Sequence, residues 1–280
     1  MPKFSLITPQ SPLLVMGCGK MGGALLQGCL KAGLPAEAVM VVDPNRDGAC
    51  AMLPMLKNAQ IAARLSDLPK GLNPAFVLLA VKPQMMDQAA ADLAELKQGD
   101  RLFLSIAAGK TIGYFERHLG GDMAIVRAMP NTPAAIGAGM TVACPNRHVN
   151  EAQKAICHDL LTAAGDVEWI TEEQLMDAVT AVSGSGPAYV FGMVEALAGA
   201  GEQVGLSPEL ASRLARATIC GAGDLLKQSD EDAGQLRMNV TSPGGTTEAA
   251  LNILMGENGL GKLMMEAVRA AYQRSKDLAD

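Results

Sequence analysis

The residues whose type and spacing suit chemistry begin with a glycine-rich run, GCGKMG at positions 17–22. The run follows the apolar stretch LLVM and precedes a helical pattern, which is the context of a dinucleotide fingerprint. In such a fingerprint Gly17 permits a tight turn, Gly19 lets the backbone approach a pyrophosphate, and Gly22 lets the helix pack on the strand. The free N–H groups of the helix then face the phosphates. A turn without a ligand is the alternative, which the flanking strand and helix and a downstream acid disfavour.

That acid stands about twenty residues beyond the glycine-rich run, after the apolar stretch VMVV. Asp43 in this place binds ribose hydroxyls and favours NAD. Arg46, which follows Pro44 and Asn45, suits instead a 2′-phosphate through charge-assisted hydrogen bonds. These residues therefore leave the choice between NADH and NADPH open.

Three further loops carry polar or small residues. AVKPQ at 80–84 ends the run FVLLAV, and its Lys82 suits a phosphate or a nicotinamide, although a solvated lysine is equally common at a strand end. RAMPNTP at 127–133 places Asn131 in a stiff loop between two prolines, which is otherwise an ordinary rigid turn. SGSGPAY at 183–189 has Pro187 for the first turn of a helix, and its small residues admit a cofactor ring or another helix.

The loop NVTSPGGTTE at positions 239–248 is the most informative of these motifs. Its serine, glycines and threonines precede the apolar helical run AALNIL, so they predict a helix N-terminus with exposed amides and hydroxyls. Such an N-terminus suits a small carboxylate. A capping loop with no ligand is the alternative, and the position of the loop behind a dinucleotide domain favours the ligand.

The histidines lie outside all of these motifs, at His118, His148 and His158. The His-Asp pair or the catalytic Lys or Tyr of alcohol and hydroxy-acid dehydrogenases is therefore not evident. Reduction of a carbonyl needs a proton donor as the alkoxide forms. A cyclic imine is protonated before hydride arrives, so it needs positioning and a hydrogen-bonding hydroxyl more than a strong acid. The absence favours imine reduction.

Short aliphatic runs alternate with helical patterns through the first half of the chain. We predict strands at 13–16, 39–42, 76–81, 102–106, 124–128 and 140–143, with helices at 21–32, 47–56 and 85–96. The alternation indicates βαβ units, a parallel sheet and right-handed crossovers. Continuous aliphatic runs fit strands that are buried on both faces. The predicted fold class is therefore α/β, with a doubly wound parallel sheet.

The second half is helical in pattern. We predict helices at 172–182, 187–201 and 208–228, another from Thr246, and a last one from Lys262 to the C-terminus. A short β-like piece, VEWI, marks the junction, so the predicted domains are a dinucleotide-binding domain at 1–166 and a helical domain at 167–280. Alanine- and glycine-rich stretches permit close approach of helices, either in a dimer or within one chain.

Composition excludes several classes of protein. The 280 residues carry a formal net charge of −6, which disfavours a nucleic acid or an anionic membrane as partner. Apolar runs of about 18 residues are missing, so no membrane span is predicted, and the N-terminus does not resemble a signal peptide. The cysteines have no paired spacing, and neighbouring Cys157 and His158 point in different directions on a helix. We therefore expect reduced cysteines, no metal and a cytoplasmic protein.

Taken together, the motifs resemble the pyrroline-5-carboxylate reductases along essentially the whole chain. The resemblance rests on GCGKMG, AVKPQ, RAMPNTPAAIGAG, DAVTAVSGSGPAYVF and NVTSPGGTTEAALNIL, of which the last two are specific. It implies a Rossmann-type N-terminal domain and an all-helical C-terminal dimerisation domain, with dimers that assemble further, commonly into decamers. The implied reaction is reduction of 1-pyrroline-5-carboxylate to L-proline with NADPH or NADH, the last step of proline biosynthesis.

The resemblance also implies roles for individual residues. Those expected to contact the cofactor are Gly17, Cys18, Gly19, Lys20, Met21, Gly22, Asp43, Asn45, Arg46, Ala80, Val81, Lys82, Pro83, Ala107, Ala108, Gly109 and Asn131. Those expected to bind the substrate are Glu173, Asn239, Ser242, Gly244, Gly245, Thr246 and Thr247. Among them the loop from Ser242 to Thr247 is expected to hold the substrate carboxylate through backbone N–H groups, and Thr247 is the expected catalytic residue, its hydroxyl bonded to the ring nitrogen.

One departure from the family pattern lies upstream of the substrate loop. Relatives often have Glu-x-His-Pro-Gly where this chain has DEDAG at 230–234, so the role of Asp230 stays open. Two other functions also stay open. Another imine or hydroxy-acid reductase with the same plan is disfavoured by the SPGGTT loop, and a nucleotide-binding sensor without turnover is disfavoured by the intact Thr247.

Overall fold

The computed structural model describes residues 3–96 and 99–279. They divide into two compact units, of which the first reaches to Gly184 and resumes at Tyr272, and the second is Ser185–Ala271. The strands are β1 (Leu13–Met16), β2 (Val39–Val42), β3 (Ile61–Ala62), β4 (Phe76–Leu79), β5 (Leu102–Ser105), β6 (Ala124–Met129), β7 (Gly139–Pro145) and β8 (Gly165–Trp169). The helices are α1 (Lys20–Lys31), α2 (Arg46–Met52), α3 (Met86–Asp92), α4 (Ile112–Leu119), α5 (Glu151–Thr162), α6 (Met176–Val179), α7 (Gly186–Gln203), α8 (Pro208–Gln228), α9 (Ala233–Asn239), α10 (Thr246–Leu254) and α11 (Leu260–Leu278).

A single sheet of eight strands forms the framework of the first unit, in the order β3-β2-β1-β4-β5-β6-β7-β8. Strands β1 to β6 pair in parallel. The order reverses between β1 and β4, which is the switch point where doubly wound sheets bind ligands beyond the carboxyl ends of their strands. The predicted α/β class and doubly wound sheet are confirmed.

The sheet departs from the predicted all-parallel arrangement at β7, which runs antiparallel to β6. A parallel neighbour needs a crossover of a dozen or more residues. The connection from β6 to β7 is only the loop at 130–138, which holds one 3₁₀ turn, Thr132–Ile136. The chain therefore returns beside β6 in the opposite direction, and β8 then adds in parallel to β7.

The position of β1 in the sheet explains why its sequence is apolar without interruption. Leu13 and Val15 belong to the core on the face that α1 and α5 cover, whereas Leu14 and Met16 belong to the core on the face that α3 and α4 cover. All four residues are buried. A strand covered on both faces needs an apolar side chain at every position, so the alternation of a half-exposed strand is lost.

Two helices of the first unit were not among those predicted, although each has a capping signal. The Thr111 hydroxyl accepts a hydrogen bond from the Tyr114 N–H at 3.1 Å and begins α4. Asn150 and Gln153 form a reciprocal capping box that begins α5. Such caps satisfy N–H groups that have no partner inside the helix.

Helix α2 ends earlier than the predicted 47–56. It stops at Met52, and Leu53 has φ −121° and ψ 61°, outside the helical region. The cause is Pro54, because a proline disfavours the helical conformation at the residue before it. The two-residue strand β3, which follows this segment, was too short to leave a pattern in the sequence.

The segment predicted as one helix at 172–182 has three parts. A 3₁₀ turn at Glu173–Leu175 leads into the single turn of α6, and a π-helical turn follows at Thr180–Gly184. The predicted domain limit at residue 166 falls inside β8, which is hydrogen-bonded to β7. The compact units divide later, after Gly184, because the sheet extends past residue 166.

The second unit consists of helices, as the sequence predicts. Helix α7 packs against α8, and the predicted helices at 187–201 and 208–228 and the start at Thr246 are confirmed. Helix α9 was not predicted. The last helix begins at Leu260 and is followed to Leu278, and the predicted extension to Asp280 lies outside the described residues.

The second unit has almost no core of its own. In 185–271, all of which the structure describes, only Ala211 and Ala215 are buried. Large apolar side chains are exposed on α7, α8, α10 and α11 instead, including Phe191 at 62% and Ile253 at 76%. Exposed apolar side chains in this number are typical of a surface that associates with another protein surface. We infer that this unit associates with a second copy of itself.

No helix in 3–96 or 99–279 combines the length and hydropathy needed to cross a bilayer. Over the same residues, three or more His, Cys, Asp or Glu side chains are nowhere placed to share a metal ion. All six cysteines are free thiols.

The exposed surface of the second unit predicts that stability depends on protein concentration. Burial of one phenylalanine contributes about 1.5–3 kcal/mol, so we expect Phe191→Asp to lower the melting temperature and to convert dimers to monomers. The wild-type melting temperature should rise with concentration. Sedimentation velocity and thermal scans at several concentrations measure both effects.

The matched control is Met55→Asp in the first unit, because Met55 is 60% exposed and should tolerate the change within about 0.5 kcal/mol. A wild-type protein that sediments as a monomer at all concentrations would contradict the inference.

Candidate functional site

The glycine-rich loop lies between β1 and α1 and is held by close backbone contacts. Gly17 has φ +94°, and its N–H donates to the Val42 carbonyl at 2.8 Å. A methyl group on Gly17 would lie 2.8 Å from the carbonyl carbon of Ala80, and one on Gly22 would lie 2.6 Å from the Gly17 oxygen. Both positions therefore exclude any side chain, as the fingerprint predicts.

Gly19 differs from the other two glycines of the fingerprint. It caps α1 with ordinary dihedral angles and without a side-chain hydrogen bond. No atom lies within 4 Å of the place where a methyl group on Gly19 would stand. The open space at this helix N-terminus is where a pyrophosphate would approach the backbone, so these residues fit a dinucleotide.

Asp43 bonds to the loop itself. Its Oδ2 accepts the Cys18 N–H at 2.6 Å and its Oδ1 accepts the Asn45 N–H at 2.8 Å. Each oxygen has a second lone pair, so the carboxylate still accepts ribose hydroxyls. Burial, and secondly the charge of Asp43, raises the pKa of the Cys18 thiol to about 11. The thiol is therefore protonated at neutral pH and is not a nucleophile.

The structure places Arg46 against the backbone of neighbouring segments. Its Nε donates to the Ile61 carbonyl at 2.9 Å, and one terminal nitrogen donates to the Asn58 carbonyl at 3.1 Å. Arg46 thereby fastens the start of α2 to β3. This geometry does not favour the predicted contact with a 2′-phosphate.

A cavity of about 460 Å³ opens beyond the carboxyl ends of β1, β2 and β4. Its apolar lining is Met16, Val42, Leu65, Val81, Met85 and Ala89. It lies beside Pro44, next to the acid that is expected to bind the adenosine ribose. Its position and apolar walls suit an adenine ring.

The loop after β4 joins this site. The Ala80 N–H donates to the Met16 carbonyl at 2.8 Å, so the loop follows the end of β1. Pro83 begins a 3₁₀ turn directly after Lys82. The Lys82 ammonium is exposed and has no hydrogen bond or ion pair within residues 3–96 and 99–279. It is therefore available to an anion.

The loop after β5 contains Ala107, Ala108 and Gly109. The Ala107 N–H donates to the Ser105 hydroxyl at 3.3 Å. Gly109 has φ +77°, and a methyl group on it would lie 2.8 Å from the Leu278 carbonyl oxygen near the end of α11. The last turn of α11 therefore packs directly on this predicted cofactor loop.

Glu173 and Asn131 make structural bonds within the first unit. Glu173 Oε1 accepts from the Arg127 guanidinium at 2.9 Å and from the Ile112 N–H at 2.7 Å. Arg127 is only 6% exposed, so this carboxylate compensates a buried charge. Asn131 donates to Ser183 at 3.3 Å and accepts the Met140 N–H at 2.9 Å. It thus fastens its loop to the π-helical turn, a feature frequent at functional sites.

The predicted substrate loop lies in the second unit and turns into α10. Gly244 has φ +71°, and its N–H donates to Glu248 Oε2 at 2.8 Å. The Gly245 N–H donates to the Ser242 carbonyl at 3.0 Å. The next three amides, of Thr246, Thr247 and Glu248, have no acceptor in the described part of the chain. They form an N-terminus that suits a carboxylate.

Two predicted substrate residues beside this loop differ in their bonding. The Asn239 amide donates to Glu231 Oε2 and accepts from Gln235, both at 2.8 Å, so it fastens the end of α9 to the preceding turn. Thr247 is half-buried, and its hydroxyl has no hydrogen-bond partner in 3–96 or 99–279. The Thr247 hydroxyl is therefore available to a ligand.

Two protein-family models match the chain. The model described as pyrroline-5-carboxylate reductase dimerisation matches residues 173–278. The model described as NADP oxidoreductase coenzyme F420-dependent matches residues 13–109. The first match covers the whole second unit, and the second covers the glycine-rich loop, the cavity and the loops after β4 and β5.

Relatives match over nearly their full length. Pyrroline-5-carboxylate reductase of Pseudomonas aeruginosa is 39% identical over 271 residues, which are 95% of this chain and 96% of the relative. The Mycobacterium tuberculosis enzyme is 39% identical, again over 95% of this chain and 96% of the relative. The structure of the Coxiella burnetii enzyme covers 97% of this chain and 99% of its own, with 34% identity and a TM-score of 0.88.

A structure titled Plasmodium falciparum pyrroline carboxylate reductase with NADP bound has a TM-score of 0.81 and 32% identity, and it covers 96% of this chain and 98% of its own. The fold and the loops define an oxidoreductase with a nucleotide-binding sheet and a helical dimerisation unit. The chain belongs to the pyrroline-5-carboxylate reductase family. The resemblance predicted from the motifs is confirmed.

Sequence reasoning missed the residues after β3 that complete the cavity, chiefly Arg64 and Ser66. It also missed the bond from Glu248 to Gly244. The second had a local signal, since an acid four residues into a helix N-terminus can reach back to the loop. Arg64 and Ser66 had no such signal, because the two-residue strand β3 is too short to be predicted, and the residues that follow it could not be placed at a strand end.

The open space at Gly19 predicts that a substitution there lowers the affinity for the nucleotide without lowering the stability of the fold. Gly19→Ala meets open space, so we expect its free energy of unfolding to stay within about 1 kcal/mol of the wild type. The methyl group occupies the approach of the pyrophosphate, so NADPH affinity should fall by about tenfold or more. Thermal unfolding and fluorescence titration measure the two quantities.

Gly121→Ala is the matched control, because Gly121 also faces open space but lies before β6, outside the fingerprint. Equal NADPH affinities for Gly19→Ala and Gly121→Ala would place the nucleotide elsewhere.

Proposed function

We propose that this protein reduces 1-pyrroline-5-carboxylate to L-proline with NADPH, with NADH as the alternative donor, in the last step of proline biosynthesis. The observation that carries the proposal is the end of the loop at 242–247 and the start of α10, where the amides of Thr246, Thr247 and Glu248 and the Thr247 hydroxyl have no partner among the described residues. This loop belongs to NVTSPGGTTEAALNIL, one of the two specific motifs on which the resemblance to the pyrroline-5-carboxylate reductases rests. The nucleotide supplies the hydride.

The nucleotide half of the proposal rests on the first unit. The N-terminus of α1 and the open space at Gly19 suit the pyrophosphate. The Asp43 carboxylate suits the adenosine ribose, and Lys82 offers an unpaired cation beyond β4. The loops at Ala80 and Ala107, which follow β4 and β5, suit the nicotinamide half by their place at the carboxyl ends of the strands.

The substrate half rests on the carboxylate chemistry of the second loop. The Gly244 N–H already binds a carboxylate, that of Glu248, at 2.8 Å. The amides of Thr246 and Thr247 stand in the first turn of α10 and have no acceptor among the described residues. A substrate carboxylate placed there would gain charge-assisted hydrogen bonds and the helix dipole.

The Thr247 hydroxyl is proposed to bond the ring nitrogen of the imine. Hydride adds to the carbon of the C=N bond, and the electron pair of that bond moves to nitrogen, which carries the proton of the iminium form. The hydroxyl fixes the ring so that this carbon faces the donor. No group with a pKa near 7 is required, which agrees with the position of all three histidines outside the motifs.

Assembly and location are also proposed. The dimerisation domain and the exposed apolar helices support a homodimer. We propose that dimers associate further, to a decamer, and that the protein works in the cytoplasm. The free thiols of all six cysteines support the second point.

The first test is the initial rate of NADPH and NADH oxidation by purified protein with 1-pyrroline-5-carboxylate. We expect saturable turnover and L-proline as product, with the higher kcat/KM for NADPH. A substrate panel containing a six-membered cyclic imino acid and a 2-oxo acid serves as control. Binding of both nucleotides without turnover would favour the sensor function instead.

The second test concerns Thr247. We expect Thr247→Ala to reduce kcat roughly 10²-fold, because it removes a hydrogen bond to the reacting ring. Thr247→Ser keeps the hydroxyl and should retain most of the activity, and NADPH affinity should change little in either variant. Steady-state kinetics and fluorescence titration measure these effects. Equal kcat values for wild type and Thr247→Ala would remove Thr247 from the catalytic role.

A further inference from the structure

The rim of the cavity beyond β1, β2 and β4 carries a cation that has no assigned role. We propose that Arg64 binds the 2′-phosphate of NADPH and sets the preference for NADPH over NADH. The proposal rests on the nucleotide half of the proposed function and is independent of the imine substrate.

The path of a dinucleotide over the sheet leads to this rim. The pyrophosphate belongs at Gly19, at the N-terminus of α1. The adenosine ribose belongs at Asp43, at the end of β2. The cavity begins at Val42 and Pro44, directly beside that carboxylate. An adenine ring in the cavity therefore directs the ribose 2′ position towards the segments that follow β2 and β3.

Arg64 follows β3, the strand paired with β2, and it lines the cavity together with Ser66. Arg64 is exposed and extended, at the start of the 3₁₀ turn Leu65–Asp67. Its guanidinium has no hydrogen bond or ion pair within the residues that the structure describes. Neither does the Ser66 hydroxyl. A planar guanidinium with free donors matches the geometry of a phosphate.

Two other charged groups lie near the expected place of the ribose, and each makes hydrogen bonds within the protein. Arg46, the candidate from the sequence, donates to the carbonyls of Ile61 and Asn58. Asp43 accepts the amides of Cys18 and Asn45. Neither group has to be released for Arg64 to bind a phosphate.

One carboxylate also lines the cavity, that of Asp92. It accepts the Gln88 amide at 2.7 Å. Asp92 is the last residue of α3, and a crossover helix runs back towards the amino ends of the strands. Asp92 therefore belongs to the wall that α3 contributes, whereas Pro44 and Arg64 follow β2 and β3.

The test compares two probes that differ only in the 2′-phosphate. Isothermal titration of the full-length protein with adenosine 2′,5′-bisphosphate and with AMP gives the contribution of that phosphate directly. For the wild type we expect the bisphosphate to bind at least tenfold more tightly, as a charge-assisted hydrogen-bond pair provides about tenfold to a hundredfold. NADPH and NADH should differ in the same sense.

In Arg64→Gln the ratio of the two dissociation constants should fall to within about threefold of one, with AMP and NADH affinities changed little. Arg64→Lys should keep part of the ratio, because the charge remains and the fork geometry is lost. Lys70→Gln is the matched control, since it removes an exposed charge from the same unit outside the cavity. It should keep the wild-type ratio.

A wild-type ratio near one would overturn the proposal, and so would an Arg64→Gln variant that weakens AMP as much as the bisphosphate. If Arg64→Gln fails to fold, the ratio in Arg64→Lys decides, since an unchanged ratio there excludes a bidentate contact. A protein that shows the Arg64-dependent ratio but oxidises no NADPH with the imine would retain this inference and lose the proposed reaction. If the protein oxidises NADPH with the imine but Arg64→Gln keeps the wild-type ratio of dissociation constants, the proposed reaction is retained and this inference is wrong.

Discussion

The backbone of Gly17 packs against the end of β4 so closely that a methyl group would lie 2.8 Å from the Ala80 carbonyl carbon. This contact brings the loops after β1 and β4 together at the switch point of the sheet. Hydrogen bonds from Gly17 to the Val42 carbonyl and from Cys18 to Asp43 then add the end of β2. This close contact of backbone atoms therefore determines where α1 begins. It also determines where the cavity opens and where Asp43 lies.

The two units meet different physical requirements. The first unit has a buried hydrophobic core on each face of its sheet, so the contacts that stabilise it lie within one chain. The second has two buried alanines and a surface of exposed leucine, methionine and phenylalanine. We infer that association stabilises its helices, and the loop proposed to bind the substrate belongs to that unit. Association would therefore stabilise the helices that hold this loop as well as join two chains.

The sequence predicted features that depend on neighbours along the chain. Leu13–Met16 is buried on both faces, so its apolar run was a sufficient signal for a strand, and the fingerprint glycines were fixed by spacing. Features that depend on distant partners were not predicted. The orientation of the Arg46 side chain depends on the carbonyls of Asn58 and Ile61. The hydrogen bond from Asn131 to Ser183 joins the loop after β6 to the π-helical turn. Periodicity contains no information about such contacts.

The bond between Glu248 and Gly244 has a consequence for how the substrate loop meets its ligand. An internal carboxylate holds the left-handed Gly244 in place, so the loop has its binding shape before a ligand arrives. A preorganised loop loses little conformational entropy on binding. The bond joins two residues of the same loop and helix and does not depend on a ligand, so departure of a product from the proposed site would leave the shape of the loop unchanged.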